Sequence, residues 1–412
     1  MRSPTSKEKR VAVTAVSPAE IKQAAQAIAE QVTADRRHIH MHPELGFQEF
    51  ETSKYIQSRL RDMGVPFRAG IATTGVLAEI KGTAGAGKTV LLRADIDALP
   101  IDEQVDAPYK STVPNVMHAC GHDAHTAVLL GTAKLLWERR HEFAGTVKLA
   151  FQPCEERPPG GAIKMIEEGV MENPRVDAAF GLHVTPQLET GQLGYRAGPA
   201  TAASDRFQIT IKGKGGHAAR PNATVDAVVI ASHVVVALQT LVSRETAPIQ
   251  PAVVTVGAIH AGDANNVIPG EATILGTVRT YDPDLRQQLA ERLKELSQGI
   301  AAAMRAKAEV EYTFGYPSLV NDPAMTELVR QVGAELVGAE NVTQVDPVLG
   351  GEDMSYFLQK APGCFFRLGT GNKARGITFG NHHPKFDVDE AALPLGVAAM
   401  TTVALRFLGG GR

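Results

Sequence analysis

A chain of 412 residues is too long for one ordinary hydrophobic core, so its length predicts two domains. With 44% hydrophobic residues, 21% charged residues and a formal net charge of −3, it reads as a globular protein. Nothing in that balance provides the basic footprint of a nucleic-acid or anionic-membrane binder. Three cysteines, Cys120, Cys154 and Cys364, cannot form a paired disulfide framework and predict a reducing compartment, so a cytoplasmic enzyme is expected. No apolar run reaches the roughly 18 residues of a membrane span. Residues 1–16 lack the long apolar core of a signal peptide and read as a flexible polar tail.

Order begins at SPAEIKQAAQAIAEQV, where Ser17 is a plausible N-cap, Pro18 suits the first helical position and Glu20 completes a capping box. Further on, GTAGAGKT (82–89) satisfies the phosphate-loop pattern GxxxxGK[ST] letter for letter. That pattern binds phosphate only when a helix follows with its N-terminus toward the ligand. Here TVLLRADID follows, β-branched and without helical period, so a strand is predicted. The glycines then read as a hairpin turn with Lys88 at a solvated tip, and the nucleotide reading is set aside.

Strands and helices alternate from there: TVLLRADID (89–97), a helix over 125–140, TVKLAFQP (146–153), a helix over 160–170, and DAAFGLHV (177–184). Such alternation predicts a mainly parallel sheet sandwiched by helices, an α/β domain. The middle of the chain reads β-α-β-β-α-β from FQITIKGK to AEVEYTFGY, the ferredoxin-like order of an α+β unit. The predicted division is therefore a discontinuous α/β domain, 17–198 and 317–412, carrying an inserted domain at 199–316.

Ligands of a parallel sheet gather beyond the carboxyl ends of its strands. Those ends carry Asp95 and Asp97, then Cys154, Glu155 and Glu156, then His183. MHACGHDAH leads into the helix with His118, Cys120, His122, Asp123 and His125, and FGNHHPKF adds His382 and His383. Singly, each has an ordinary structural explanation. Jointly, carboxylates, imidazoles and a thiolate are the ligand set of zinc, manganese, cobalt or nickel. The Glu155–Glu156 pair can divide its work, one carboxylate on metal and the other taking a proton from water.

The segments HPELGFQEFETSKYI, RADIDALPI, MHACGHDAHTAVLLG, FQPCEE, FGLHV, GKGGHAARP, NVIPGEATILGTVRTYD, GGEDMSYF and HHPKFDVDE occur in the order of one group. The chain resembles the dimetal aminoacylase/carboxypeptidase family, in its branch of hippurate hydrolases, N-acyl-amino-acid amidohydrolases and auxin-conjugate hydrolases. The likeness spans about residues 36–405. It implies two divalent ions held by Cys120, His122, Glu156, His183 and His383, with Cys120 bridging. It also implies Glu155 as general base and His217 as a residue of the inserted lid that reaches an active site. Asn266, Arg279 and Gly351 become substrate-side candidates, and Asp97 an orienting residue. The insert would double as the dimerisation module, giving a homodimer or higher homo-oligomer.

Two departures stand out. Cys154 precedes the glutamate pair and Arg157-Pro158-Pro159 follows it, where the group has alanine and glycines; Asn222 replaces a histidine in the lid. A guanidinium at 157 can read an acidic group on a substrate. The expected activity is hydrolysis of an N-acyl or N-aroyl amino acid, a small-molecule amide. Its alternative is a specialised C–N hydrolase, a deaminase or amidase, acting on an atypical aromatic amide or amine. A non-catalytic metal-binding module would lack the base, and Glu155 is present.

Overall fold

The computed structural model describes residues 17–409, so the expected tail at 1–16 lies outside the described residues. Two compact units divide the chain. The first takes the chain up to Gly198, Asn321–Val345 and the chain from Phe357; the second takes Pro199–Val320 and Asp346–Tyr356. Residues 346–356 thus fall in the second unit, although the sequence pattern assigned them to the α/β domain.

An eight-stranded sheet organises the first unit. Its strands are β1 (Phe67–Ile71), β2 (Gly75–Lys81), β3 (Thr89–Asp95), β4 (Thr146–Gln152), β5 (Ala178–Glu189), β6 (Leu193–Tyr195), β7 (Val342–Gln344) and β8 (Gly363–Gly371). They lie in the order β1-β2-β4-β3-β5-β8-β6-β7. The central β4, β3, β5 and β8 are parallel to one another. Every residue of β3 and β4 is buried, as expected of strands covered on both faces. Helices His122–Glu138 and Leu393–Leu408 pack closely at two glycines: a Cβ on Gly131 would come within 2.8 Å of Val397, and one on Gly396 within 3.0 Å of Val128.

Three expectations need correction. First, GTAGAGKT is not a hairpin turn, because β4 lies between β2 and β3 and pairs with both. Its glycines instead let the chain cross beside the start of β4, where Gly82 N–H donates to Gly145 O and Gly145 N–H to Gly85 O. Second, Ser17 precedes the Pro18–Ala27 helix but its side chain makes no capping bond, so no capping box forms. Third, two helical stretches, Ala227–Glu245 and Glu390–Leu408, reach 19 residues with mean hydropathy 1.6 and are long and apolar enough to cross a membrane. The second of these is mostly buried in its unit's core, an ordinary origin of such composition.

The second unit is a four-stranded antiparallel sheet in the order Ala252–His260, Glu271–Thr280, Ala203–Lys212, Lys307–Thr313. Helices Ala227–Thr240 and Pro283–Ala303 cover it, packing Ile230, Val234, Leu289 and Leu293 against Ile209, Ile211 and Ile274. Asp226 and Asp282 cap these helices, each accepting backbone N–H groups of the first turn. This is the ferredoxin-like arrangement read from the sequence.

Candidate metal centre

The first unit gathers its chemistry where β3 and β4 deliver their carboxyl ends beside the middle of β5 and the start of the His122–Glu138 helix. Gly121 enters that helix with φ +85°, a left-handed conformation, and a Cβ there would meet Val184 at 2.2 Å. The glycine therefore lets Cys120 and His122 flank a tight turn against β5. Cys120 Sγ lies 3.5 Å from His183 Nε2. His122 Nε2 lies 3.6 Å from Asp95 and 3.9 Å from Glu156 Oε1, and His382 Nε2 lies 3.2 Å from the same Glu156 oxygen. Ligand atoms of Cys120, His122 and His183 come within 4.8 Å of one another, as do those of Cys120, Glu156 and His382, and of His122, Glu155 and Glu156.

Partners behind the cluster fix which atoms face it. His122 donates Nδ1–H to Asp97 at 3.2 Å, and His183 donates Nδ1–H to the Val184 carbonyl at 2.7 Å. Both rings then present Nε2 as the ligating atom. Asp97 also accepts the backbone N–H groups of Glu155 at 3.0 Å and Glu156 at 3.1 Å. Asp95 is bound by Arg93 at 2.6 Å and by His125 Nδ1–H at 2.6 Å, and His125 Nε2 accepts the Val184 N–H at 2.9 Å. Asp95 and His125 thus brace β5 beside His183. Both ring nitrogens of His125 are spent in doing so.

Burial opposes a charged His122, yet Asp95, Asp97 and Cys120 raise its pKa well above the usual imidazole range. Hydrogen bonds to Cys120 and Glu156 push His382 up to about 10. Burial and Glu156 push the Cys120 thiol up, while burial holds His183 low and neutral. His122 Nε2 is buried and makes no hydrogen bond among the described residues. An orphan imidazole nitrogen beside a thiol and carboxylates fits a borderline divalent cation.

The structure brings His382, not His383, to the cluster. The His382 backbone N–H donates to Ala119 O at 2.7 Å, tying this loop to the Cys120 turn. His383 points elsewhere: its ring stacks on Phe379 at 4.4 Å and its Nδ1 accepts the Lys385 N–H. His382 takes a left-handed backbone conformation, φ +65°, that sends its ring toward Glu156 while the next ring lies against Phe379. His118, also in the motif, is fully buried and held neutral by that burial, with a pKa near 3; it is a core residue. Arg157 is exposed.

Sequence reasoning missed the groups that hold this centre from behind. Arg36 is fully buried and donates to Asp123 at 2.7 Å and Asp387 at 2.9 Å, linking the residue after His122 to the loop after His382. Glu49 is equally buried and binds the Cys154 backbone. Both lie within segments rich in charged residues, where sequence alone offers a solvated face as the default.

The second unit holds the remaining candidates. His217 and Asn266 meet on a short antiparallel ribbon in which Val267 pairs with His217 and Asn266 O accepts the Ala218 N–H at 3.1 Å. His217 Nδ1 accepts the Ala219 N–H at 3.1 Å, which leaves Nε2 as an exposed donor. Arg279 is tied to the Asp205 and Val278 carbonyls and to Thr277. Gly351 lies close against Ser204, whose Oγ a Cβ would meet at 2.6 Å, so a side chain there requires Ser204 to shift. Asn222 is exposed on a single turn after Pro221.

The model of peptidase family M20/M25/M40 matches residues 91–406, most of the chain. The chain belongs to this family. Its M20 relatives include an IAA-amino acid hydrolase (ILR1-like 4) of Arabidopsis thaliana, 45% identical over 90% of the chain and 84% of the relative. An N-acetyl-L-cysteine deacetylase of Bacillus subtilis is 43% identical over 89% of the chain and 85% of the relative. Among solved M20 structures, a dinuclear metal-binding peptidase of Bacillus subtilis superposes with a TM-score of 0.81 at 38% identity, over 93% of the chain and 99% of that structure. The protein is an M20 hydrolase, as the sequence motifs implied.

Proposed function

We propose that this protein hydrolyses the amide bond of an N-acyl or N-aroyl amino acid with two divalent ions, zinc, manganese, cobalt or nickel. Cys120, His122, Glu156, His183 and His382 would hold the ions. The observation that carries the reading is the orphan Nε2 of buried His122 within a ring of thiol, imidazole and carboxylate donors. The activities named for the Arabidopsis and Bacillus relatives support the substrate class. Bound ions would polarise the scissile carbonyl and acidify the attacking water.

The residues of the chain supply the rest. Glu155, buried with its backbone gripped by Asp97, takes the proton as water attacks and returns it to the leaving amine. His217 is the candidate donor to the developing oxyanion, and loss of one such donor costs on the order of 100-fold in rate. Asn266, Arg279 and Gly351 are assigned to substrate binding, and Arg157 to an acidic group on the substrate. The inserted unit acts as lid and as the contact of a cytoplasmic homodimer or larger homo-oligomer; the exposed Val228, Val229 and Val236 of its first helix support that contact.

Arg157 and Cys154 beside the base favour a second reading, a C–N hydrolase of an atypical aromatic amide or amine. Metal analysis coupled to a panel of N-acyl amino acids and aromatic amides, assayed with Mn²⁺, Zn²⁺ and Co²⁺, separates the two. Inertness of every N-acyl amino acid in metal-loaded enzyme that cleaves an aromatic amide selects the second reading.

A further inference from the structure

Three successive backbone N–H groups lie at the turn where β4 ends. Cys154 N–H donates to Glu49 Oε1 at 2.9 Å, Glu155 N–H to Asp97 Oδ1 at 3.0 Å, and Glu156 N–H to Asp97 Oδ2 at 3.1 Å. Two buried carboxylates from different parts of the chain thus occupy a row of donors that would otherwise need an anion or water. Cys154 sits at φ +49°, in the left-handed region, which costs a non-glycine residue roughly 1 kcal/mol or more. Such a turn persists only where its surroundings over-determine it.

Glu49 is itself fixed. Thr74 donates its hydroxyl to Glu49 Oε2 at 2.6 Å, and the carboxylate is fully buried. Its own segment is docked on both strand-end turns: Ala98 N–H donates to Glu44 O, and a Cβ on Gly46 would strike Cys154 Sγ at 2.6 Å. The loop 44–49 is thus packed directly against the turn that Glu49 holds.

We infer that Glu49 is a positioning residue for the Glu155–Glu156 turn, sharing with Asp97 the grip that aims the base and its neighbouring ligand. Glu49 binds the Cys154 backbone and the Thr74 hydroxyl and acts through the turn rather than on the reacting atoms. The kinetic part of this inference rests on the function proposed above; the grip on the backbone does not. Release of the turn shifts Glu155 relative to the attacked carbonyl, and a displacement of about 1 Å costs on the order of 100-fold in rate.

The test compares Glu49→Ala, Glu49→Gln and Thr74→Val with wild type, by steady-state kinetics and by amide hydrogen exchange of the peptide spanning residues 152–158. Glu49→Ala is expected to speed exchange of that peptide at least tenfold and to lower kcat on the order of 100-fold, with KM within about threefold. Glu49→Gln keeps an amide oxygen for the Cys154 N–H and should restore both readouts to within a few-fold of wild type. Thr74→Val, which leaves Glu49 in place but frees one oxygen, should fall between them. Exchange at 152–158 that is unchanged in Glu49→Ala overturns the inference, as does a Glu49→Gln variant as impaired as Glu49→Ala. Wild-type enzyme inert toward every N-acyl amino acid sinks the functional reading alone, and the exchange comparison still decides the grip.

Discussion

One carboxylate, Asp97, holds both the His122 imidazole at 3.2 Å and the backbone of Glu155 at 3.0 Å. A residue just past the end of β3 thereby couples the orientation of a metal-facing ring on a helix to the aim of a carboxylate after β4. Asp97→Ala frees the ring and the turn together. Metal affinity is expected to fall roughly 10–100-fold. Titration with Co²⁺ measures this directly, and an unchanged dissociation constant would remove Asp97 from the role.

His382 and His383 are neighbours with opposite surroundings. His382→Ala is expected to lower metal content and to reduce kcat/KM by at least the 10–100-fold typical of disturbing a metal site. His383→Ala alters a ring stacked on Phe379 and should stay within about twofold of wild type. Metal analysis of the two variants side by side checks the assignment; the reverse ranking would restore His383.

Arg36 is the cation of a buried network that includes Asp123, Asp387, Glu390 and His40. Its partners hold the guanidinium charged, above its ordinary pKa. Arg36→Met leaves Asp123 buried without its main partner, and removal of one member of such a pair costs about 3–5 kcal/mol. Urea unfolding measures the loss. A loss below about 1 kcal/mol would mean that the network relaxes onto His40 alone.

Glu49 gives the fold a pH dependence with a definite sign. Burial raises its pKa from 4.5 to about 7 against the lowering effect of its hydrogen bonds to Thr74 and Cys154. Between those values the folded chain holds more protons than the unfolded one, so stability falls as pH rises from about 4.5 to 7. The loss approaches about 3 kcal/mol as an upper bound. Glu49→Gln removes this titration, so its stability relative to wild type should increase between pH 5 and pH 7.5. Parallel unfolding curves at the two pH values would contradict the assignment.

The architecture was legible because buried parallel strands write continuous apolar runs: TVLLRAD and TVKLAFQ became β3 and β4 almost residue for residue. The ferredoxin-like insert was equally plain from the order of its periods. The cluster was visible because the turns after strands carry their chemistry in view, as Asp97, Glu155 and Glu156 do, whereas His183 lies in the middle of β5, which runs on to Glu189 past the end expected at 184. What stayed hidden was long-range pairing. Nothing local distinguishes His382 from His383, or tells that Glu49 is buried against Cys154, since each depends on which loop folds against which turn. GTAGAGKT misled for the same reason: strand adjacency, with β4 between β2 and β3, is not written in the intervening loop.

Glu155 is the group on which the proposed chemistry turns, and Glu155→Gln tests it with the least disturbance. The measurement is release of free amino acid from N-acyl amino acids by chelated enzyme, Mn²⁺-loaded enzyme and Mn²⁺-loaded Glu155→Gln, with metal content determined in each. The account predicts turnover only in the loaded wild type, and a variant that binds metal to the wild-type level yet is slowed by 100-fold or more, the lower end of what a positioned general base contributes. Full activity after chelation, or retained turnover in Glu155→Gln, would contradict it.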